Sequence, residues 1–215
     1  MGLEQYKDLV GNTATVITIL NFLVGSQVCY GFIKKKTTGD VSGLTFLVGV
    51  MMTFSWWSYG RIVSDGSITL VNGVGLVLQT LYSVVYYVYT NERAATTKKT
   101  LLTIGFILTL KVSIERFEPS LVQYRLGLLC ATMSVLYCSA PLASILEVAR
   151  TGETKALPFY LILATVMMTT SWTCYGLIIK DSFVIVPNMV GCALASFQLL
   201  LFAILPSHNN TKYIV

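Results

Sequence analysis

The sequence predicts an all-α membrane protein with seven transmembrane helices, built as two parallel three-helix bundle repeats joined by a linker helix. Three observations carry that expectation. Of the 215 residues, 54% are hydrophobic and only 12% charged, with a mean hydropathy of +0.70. A soluble domain carries about 25% charge, so the bilayer is the solvent that suits this surplus of apolar side chains. Seven apolar segments are present, against the roughly 20 residues needed to span a bilayer. Finally, residues 51–75 and 167–191 match at a fixed offset of 116, with 12 of 25 aligned positions identical.

In chain order the segments are 9–33, 44–63, 67–89, 100–114, 125–149, 157–179 and 183–205. The first begins without a basic stretch, is long for a signal-peptide core and lacks a small-residue cleavage site, so it reads as a retained helix. The fourth is the shortest and least regular, ending at Lys111 before the polar run Glu115-Arg116-Phe117-Glu118-Pro119. With the N-terminus outside, the inner loops and tail hold nine basic residues and the outer side six. Lys34, Lys35, Lys36, Arg93, Lys98 and Lys99 carry most of that bias, which favours an external N-terminus and a cytosolic C-terminus. The same reading makes the net charge of +5 a topology signal, not one for nucleic acid. Asn209-Asn210-Thr211 matches a glycosylation sequon but faces the cytosol on this topology.

The repeat is specific because polar and aromatic residues recur at one register. Met51-Met52-Thr53 mirrors Met167-Met168-Thr169, Ser55-Trp56 mirrors Ser171-Trp172, and Tyr59-Gly60 mirrors Tyr175-Gly176. Asp65 answers Asp181, Asn72 answers Asn188, and Gly75 answers Gly191. Shared apolar residues alone would mean little in two membrane segments. Helices one to three and five to seven are therefore the copies. A three-helix unit reverses direction across the membrane and the fourth helix restores it, so the copies run parallel. The expected organisation is residues 1–90 for the first repeat, 91–120 for the linker helix and its loops, 121–205 for the second repeat, and 206–215 for a short cytosolic tail. Such a duplication points to a transporter with its site between the halves.

A three-plus-one-plus-three arrangement with Trp-x-x-Tyr-Gly and Asn-x-x-Gly in each half resembles the SWEET family of sugar transporters, a stock example of parallel repeats. The most specific pieces are Ser171-Trp172-Thr173-Cys174-Tyr175-Gly176, Pro187-Asn188-Met189-Val190-Gly191, Ala140-Pro141-Leu142 and Leu157-Pro158-Phe159. The resemblance covers about residues 9 to 205. It implies a passive, bidirectional carrier of mono- or disaccharides working by alternating access, with no cofactor. By position, it assigns sugar binding to Asn72, Asn188, Trp172 and Trp56, and pocket shaping to Thr18, Asn21, Ser134 and Tyr137. The outer gate corresponds to Tyr59, Tyr175 and Asp181. The family's four helix prolines, acting as hinges and an inner constriction, correspond to Gly25, Thr45, Pro141 and Pro158, so two of the four positions depart from the pattern. Glycine still weakens a helix by about 1 kcal/mol relative to alanine, whereas Thr45 keeps the N–H that proline removes. The family's tendency to self-associate makes a homo-oligomer the expected assembly, in the plasma membrane or the Golgi.

These residue types suit a sugar. A hexose presents hydroxyls that both donate and accept, around faces of C–H bonds. An asparagine amide offers two donors and an acceptor, and an indole gives a flat apolar wall with one N–H. Bulky Asn21 and Tyr137 suggest a tight pocket and a glucose-like monosaccharide. Ionisable groups in helix centres mark proton or ion pathways; Lys111, Arg125, Glu147 and Lys180 fall near helix ends, which favours facilitated diffusion over proton symport. Each residue also has a plainer reading. A membrane asparagine is often helix–helix glue, a tryptophan or tyrosine an interface anchor, and duplication at one register is what favours the site. Tyr82, Tyr86, Tyr87 and Tyr89 read as an inner aromatic belt, Trp57 as an anchor, the methionine pairs as packing, and the five cysteines as small buried hydrophobes.

Other functions fit less well. A related PQ-loop carrier of amino acids predicts a Pro-Gln pair, and none occurs. A seven-helix receptor needs no half-chain duplication. An intramembrane enzyme needs a nucleophile–base or metal constellation; the one histidine, His208, lies in the polar tail, and no cysteine pair has metal-ligand spacing.

Overall fold

The structure, a computed structural model, describes residues 3–152, 154 and 157–205. The expected cytosolic tail with His208 and the sequon, and Glu153 and Lys155 of an inner loop, lie outside the described residues. After a 3-10 turn at Leu3–Tyr6 come α1 (Lys7–Lys35), α2 (Leu44–Ile62), α3 (Gly66–Tyr89), α4 (Arg93–Arg116), α5 (Pro119–Tyr137), α6 (Ser139–Thr151), α7 (Phe159–Ile179) and α8 (Ser182–Ile204). No strand occurs among the described residues. Helices α5 and α6 form one 33-residue apolar run, Pro119–Thr151, so seven helical passes result. Five of these are long and apolar enough to cross a membrane by themselves. The other two are α2, rich in Thr, Ser and Trp, and α4, with a basic start.

Two expectations about helix lengths change. The fourth helix is not short: it has 24 residues and includes Arg93–Lys99. Its threonines account for this, because Thr96, Thr97, Thr100 and Thr103 each donate a hydroxyl to the carbonyl four residues back. A polar side chain satisfied within its own helix can be carried into apolar surroundings. The fifth helix begins at Pro119, where a fixed φ suits the first helical position. It then breaks at Cys138. Pro141, three residues on, has no N–H to donate to the carbonyl of Tyr137.

The chain forms two compact units, residues 11–130 and residues 1–10 with 131 onward. In the first, α2 packs along α3 and α4 lies against α2. Cys29, Phe32, Phe46, Tyr82 and Tyr86 bury one another there, with Phe32 and Phe46 edge-to-face at 6.4 Å and Phe46 and Tyr82 at 6.1 Å. Tyr82 and Tyr86 are therefore core residues and not part of a surface belt; Tyr87 stays exposed and Tyr89 carries Lys36 over its ring. In the second unit α7 packs along α8 around Val148, Leu157, Ile162 and Ala195. Of the cysteines, Cys29 and Cys130 are buried as expected, whereas Cys174 is exposed. Bare apolar side chains such as Leu102 (75% exposed) and Leu136 (67%) line the helix exteriors, as a lipid-facing surface requires.

Candidate functional site

The hairpins α2–α3 and α7–α8 hold the repeated residues, and they are alike down to the turn. Ser64 and Lys180 both adopt the left-handed conformation, at φ 55° and 56°. The next residue closes the turn each time: the Asp65 N–H donates to the Gly60 carbonyl at 2.8 Å, and that of Asp181 to the Gly176 carbonyl at 3.0 Å. Each aspartate then caps the following helix, its carboxylate accepting the N–H of Ile68 or of Phe183 at 2.9 Å. That capping offsets orphan donors at the helix start and is worth about 1 kcal/mol.

The repeated glycines, threonines and serines are structural. A Cβ on Gly60 would lie 2.8 Å from the Thr69 backbone nitrogen, and one on Gly176 would lie 3.1 Å from that of Ile185. Only glycine lets these helices approach so closely. The Thr53 methyl sits over Gly75 and the Thr169 methyl over Gly191. Both threonine hydroxyls donate back to their own helices, as do Ser55 and Ser171 at 2.8 Å. What the duplication leaves for chemistry is the tryptophans, tyrosines and asparagines.

Those close approaches also fix the helix register. Contacts of Gly49 with Gln79, Gly75 with Thr53 and Gly60 with Thr69 set α2 antiparallel to α3 so that Trp56 is level with Asn72. The matching contacts in α7 and α8 put Trp172 level with Asn188. Trp56 meets Tyr59 edge-on at 5.6 Å and 90°, and Trp172 meets Tyr175 at 5.6 Å and 89°. Both tyrosines are 1% exposed, buried inside the protein. The Asn72 amide donates to the Ile68 carbonyl at 2.9 Å, and that of Asn188 to the Val184 carbonyl at 2.8 Å. That bond orients each half-buried amide and uses one donor, leaving its other N–H and its oxygen for a ligand hydroxyl.

The remaining expected residues are dispersed among the units. Thr18 is buried and donates to the Ala14 carbonyl, and half-buried Asn21 donates to that of Ile17. Ser134 is half-buried in α5; Tyr137, at the end of that helix, is exposed. Gly25 lies inside an unbroken α1, and Thr45 in the first turn of α2, where backbone N–H groups have no intrahelical acceptor. Pro158 caps α7. A cleft of about 520 Å³ along α2 and α3, lined by Trp57, Leu70, Gly73, Val74 and Val77, contains none of these residues and suits an acyl chain better than a hexose. Tyr82 escaped sequence reasoning as a residue close to the site. Its signal was the lack of a tyrosine at the matching position of the second repeat, Gln198.

A multi-pass helical membrane protein, duplicated around neutral Asn, Trp and Tyr sets, is the class that fold and site define. Known proteins make the class specific. The family described as sugar efflux transporter for intercellular exchange matches residues 8–94 and 124–210, one match per repeat. The sugar transporter SWEET1 of Drosophila pseudoobscura pseudoobscura is 35% identical over 94% of this chain and 91% of its own length. The sugar transporter SWEET1 of Caenorhabditis elegans is 31% identical over 98% of this chain and 69% of its own. The bidirectional sugar transporter N3 of Medicago truncatula is 31% identical over 90% and 74% respectively. A 3.7 Å structure of a eukaryotic SWEET transporter superposes with a TM-score of 0.86 at 28% identity, covering 94% of this chain and 97% of that one. The chain belongs to the SWEET family of sugar transporters, with its three-plus-one-plus-three architecture, and is a carrier, not an enzyme.

Proposed function

We propose that this protein is a passive, bidirectional uniporter for a glucose-like monosaccharide, working by alternating access. The duplicated neutral set carries the reading: Asn72 with Trp56 and Tyr59 in one repeat, and Asn188 with Trp172 and Tyr175 in the other, each amide held by its own helix. Amides supply hydroxyl partners and indoles supply C–H walls, and no fixed charge favours an ion. Thr18, Asn21, Ser134 and Tyr137 shape the pocket, while Tyr59, Tyr175 and Asp181 gate it from outside. The hinge positions Pro141 and Pro158 serve the second repeat, and Gly25 and Thr45 stand at those of the first. The N-terminus faces outward and the C-terminus the cytosol, in the plasma membrane or the Golgi, and the carrier assembles as a homo-oligomer.

The test is radiolabelled glucose uptake and efflux in proteoliposomes, with and without a pH gradient. Saturable flux in both directions, indifferent to the gradient, is the expected result. Gradient-driven accumulation would replace the uniporter with a symporter. Failure to carry glucose, fructose or sucrose in inserted protein would move the substrate outside this class.

A further inference from the structure

At the inner ends the two repeats part company. At the offset of 116, Gly25 matches Pro141, Phe22 matches Cys138, and Tyr82 matches Gln198. In the second repeat the helix breaks at Cys138. In the first, α1 runs unbroken for 29 residues through the same point. Lack of a proline permits that continuity, but glycine is a poor helix residue, about 1 kcal/mol worse than alanine in a helix interior. Something else supports this turn, and it is Tyr82.

Tyr82 reaches α1 from α3 in two ways. Its ring packs against Gly25, so close that a Cβ there would lie 2.5 Å from Cε2 and 2.8 Å from Cδ2. Its hydroxyl donates to the Phe22 carbonyl at 3.1 Å. Phe22 in turn sits on Gly75 of α3, where a Cβ would lie 2.5 Å from its ring, one helical turn from Asn72. The turn bearing Asn21 and Phe22 is thus held to α3 by a hydrogen bond and two ring-on-glycine contacts. Tyr86 repeats the motif one turn further in, packed on Gly43 ahead of α2. Phe32 and Phe46 fill the space around both tyrosines.

We infer that Tyr82 is a positioning residue for sugar binding: it keeps α1 continuous at Gly25 and fixes Asn21 relative to Asn72. The inference rests on the proposed sugar site only for its transport readout; the tether itself is independent of substrate. Tyr82 touches no sugar. It acts through Asn21, by anchoring the backbone carbonyl of the next residue.

The experiment uses Tyr82→Phe in the full-length protein, which removes the hydroxyl and keeps the ring. Cys29 is a built-in reporter, since it is 5% exposed and packed in the same cluster as Tyr82. Site-resolved maleimide labelling, read by mass spectrometry, should show Cys29 modified about fivefold faster in Tyr82→Phe, as loss of one buried hydrogen bond implies. Cys174, exposed in the other unit, is the internal control and should not change. In proteoliposomes the KM for glucose should rise about threefold to fivefold with maximal rate within about twofold, the same bond being read through binding. In an Asn21→Ala background the further effect of Tyr82→Phe on KM should vanish, because the two act as one unit. Unchanged Cys29 labelling would overturn the tether. Faster labelling with an unchanged KM, or a KM effect that persists without Asn21, would overturn the positioning role. If the wild type carries no sugar at all, it is the proposed function that fails, and Cys29 labelling still decides the tether.

Discussion

The halves of the two repeats that hold the α2–α3 and α7–α8 turns are near copies, and the opposite halves are not. At the turn ends, both copies have the left-handed turn residue, an aspartate cap and close glycine contacts, and the Trp–Tyr pairs agree to within 1° in interplanar angle. At the opposite ends, the first repeat has a continuous helix packed on Tyr82, Tyr86, Phe32 and Phe46, and the second has a break at Cys138 and an aliphatic cluster. A shared sequence, after duplication, has kept its form where both copies need the same chemistry. Where it diverged, the copies have taken on different packing, aromatic in the first and aliphatic in the second.

That comparison can be broken or sharpened by matched substitutions. The largest effects fall on the asparagines: Asn188→Ala should abolish glucose uptake at unchanged surface expression, and Asn72→Ala should do so equally. Near-normal transport in Asn188→Ala would remove the proposed site, and loss in only one variant would show the two turn-end halves to be unequal in use. Next come the glycines under Asn72 and Asn188. Gly75→Ala pushes into the Phe22 ring and should destabilise the protein by about 1–3 kcal/mol through overpacking. Gly191→Ala meets the Thr169 methyl at 3.0 Å and the Cys138 sulfur at an ordinary 3.8 Å, and gains about 1 kcal/mol of helix propensity, so its melting temperature in detergent should hardly move. Equal losses would contradict a tighter first repeat.

Smaller effects separate capping from gating. Asp65→Ala and Asp181→Ala should each cost about 1 kcal/mol in thermal stability, each capping a helix through one backbone N–H. Asp181→Ala should alter transport beyond that shared loss if it also gates; identical transport in the two variants would leave both as caps alone. The smallest effect is expected for Thr45→Pro. At the first turn of α2 proline removes no intrahelical bond, so folding is kept. Transport rate should change more than sugar selectivity, and wholly unchanged kinetics would show that the position is no hinge.

The fold class was legible because its signals are local and redundant. Apolar length, basic-residue bias and a repeat of Trp, Tyr, Asn and Asp can all be read without knowing a single contact. The family resemblance pointed to the asparagines and tryptophans for the same reason. Reading was weakest where a helix depends on partners. The run Arg93–Lys99 looked like a loop, since composition cannot show hydroxyls returning to their own backbone. Pro141 was visible as a helix proline, but the position of the break, at Cys138, was not.

By itself, then, the sequence determined the helices, their pairing into repeats and the neutral chemistry of the repeated residues, because period, length and residue type are properties of the chain. Only the tertiary structure decided which repeated residues are structural. Gly75 needs Phe22, Asp181 needs the Phe183 N–H, and Tyr82 needs both Gly25 and the Phe22 carbonyl. Such roles exist only when a second helix brings its surface within van der Waals or hydrogen-bond range. Tyrosines at 82 and 86 have the composition of a membrane belt; packing against glycine made them a clamp.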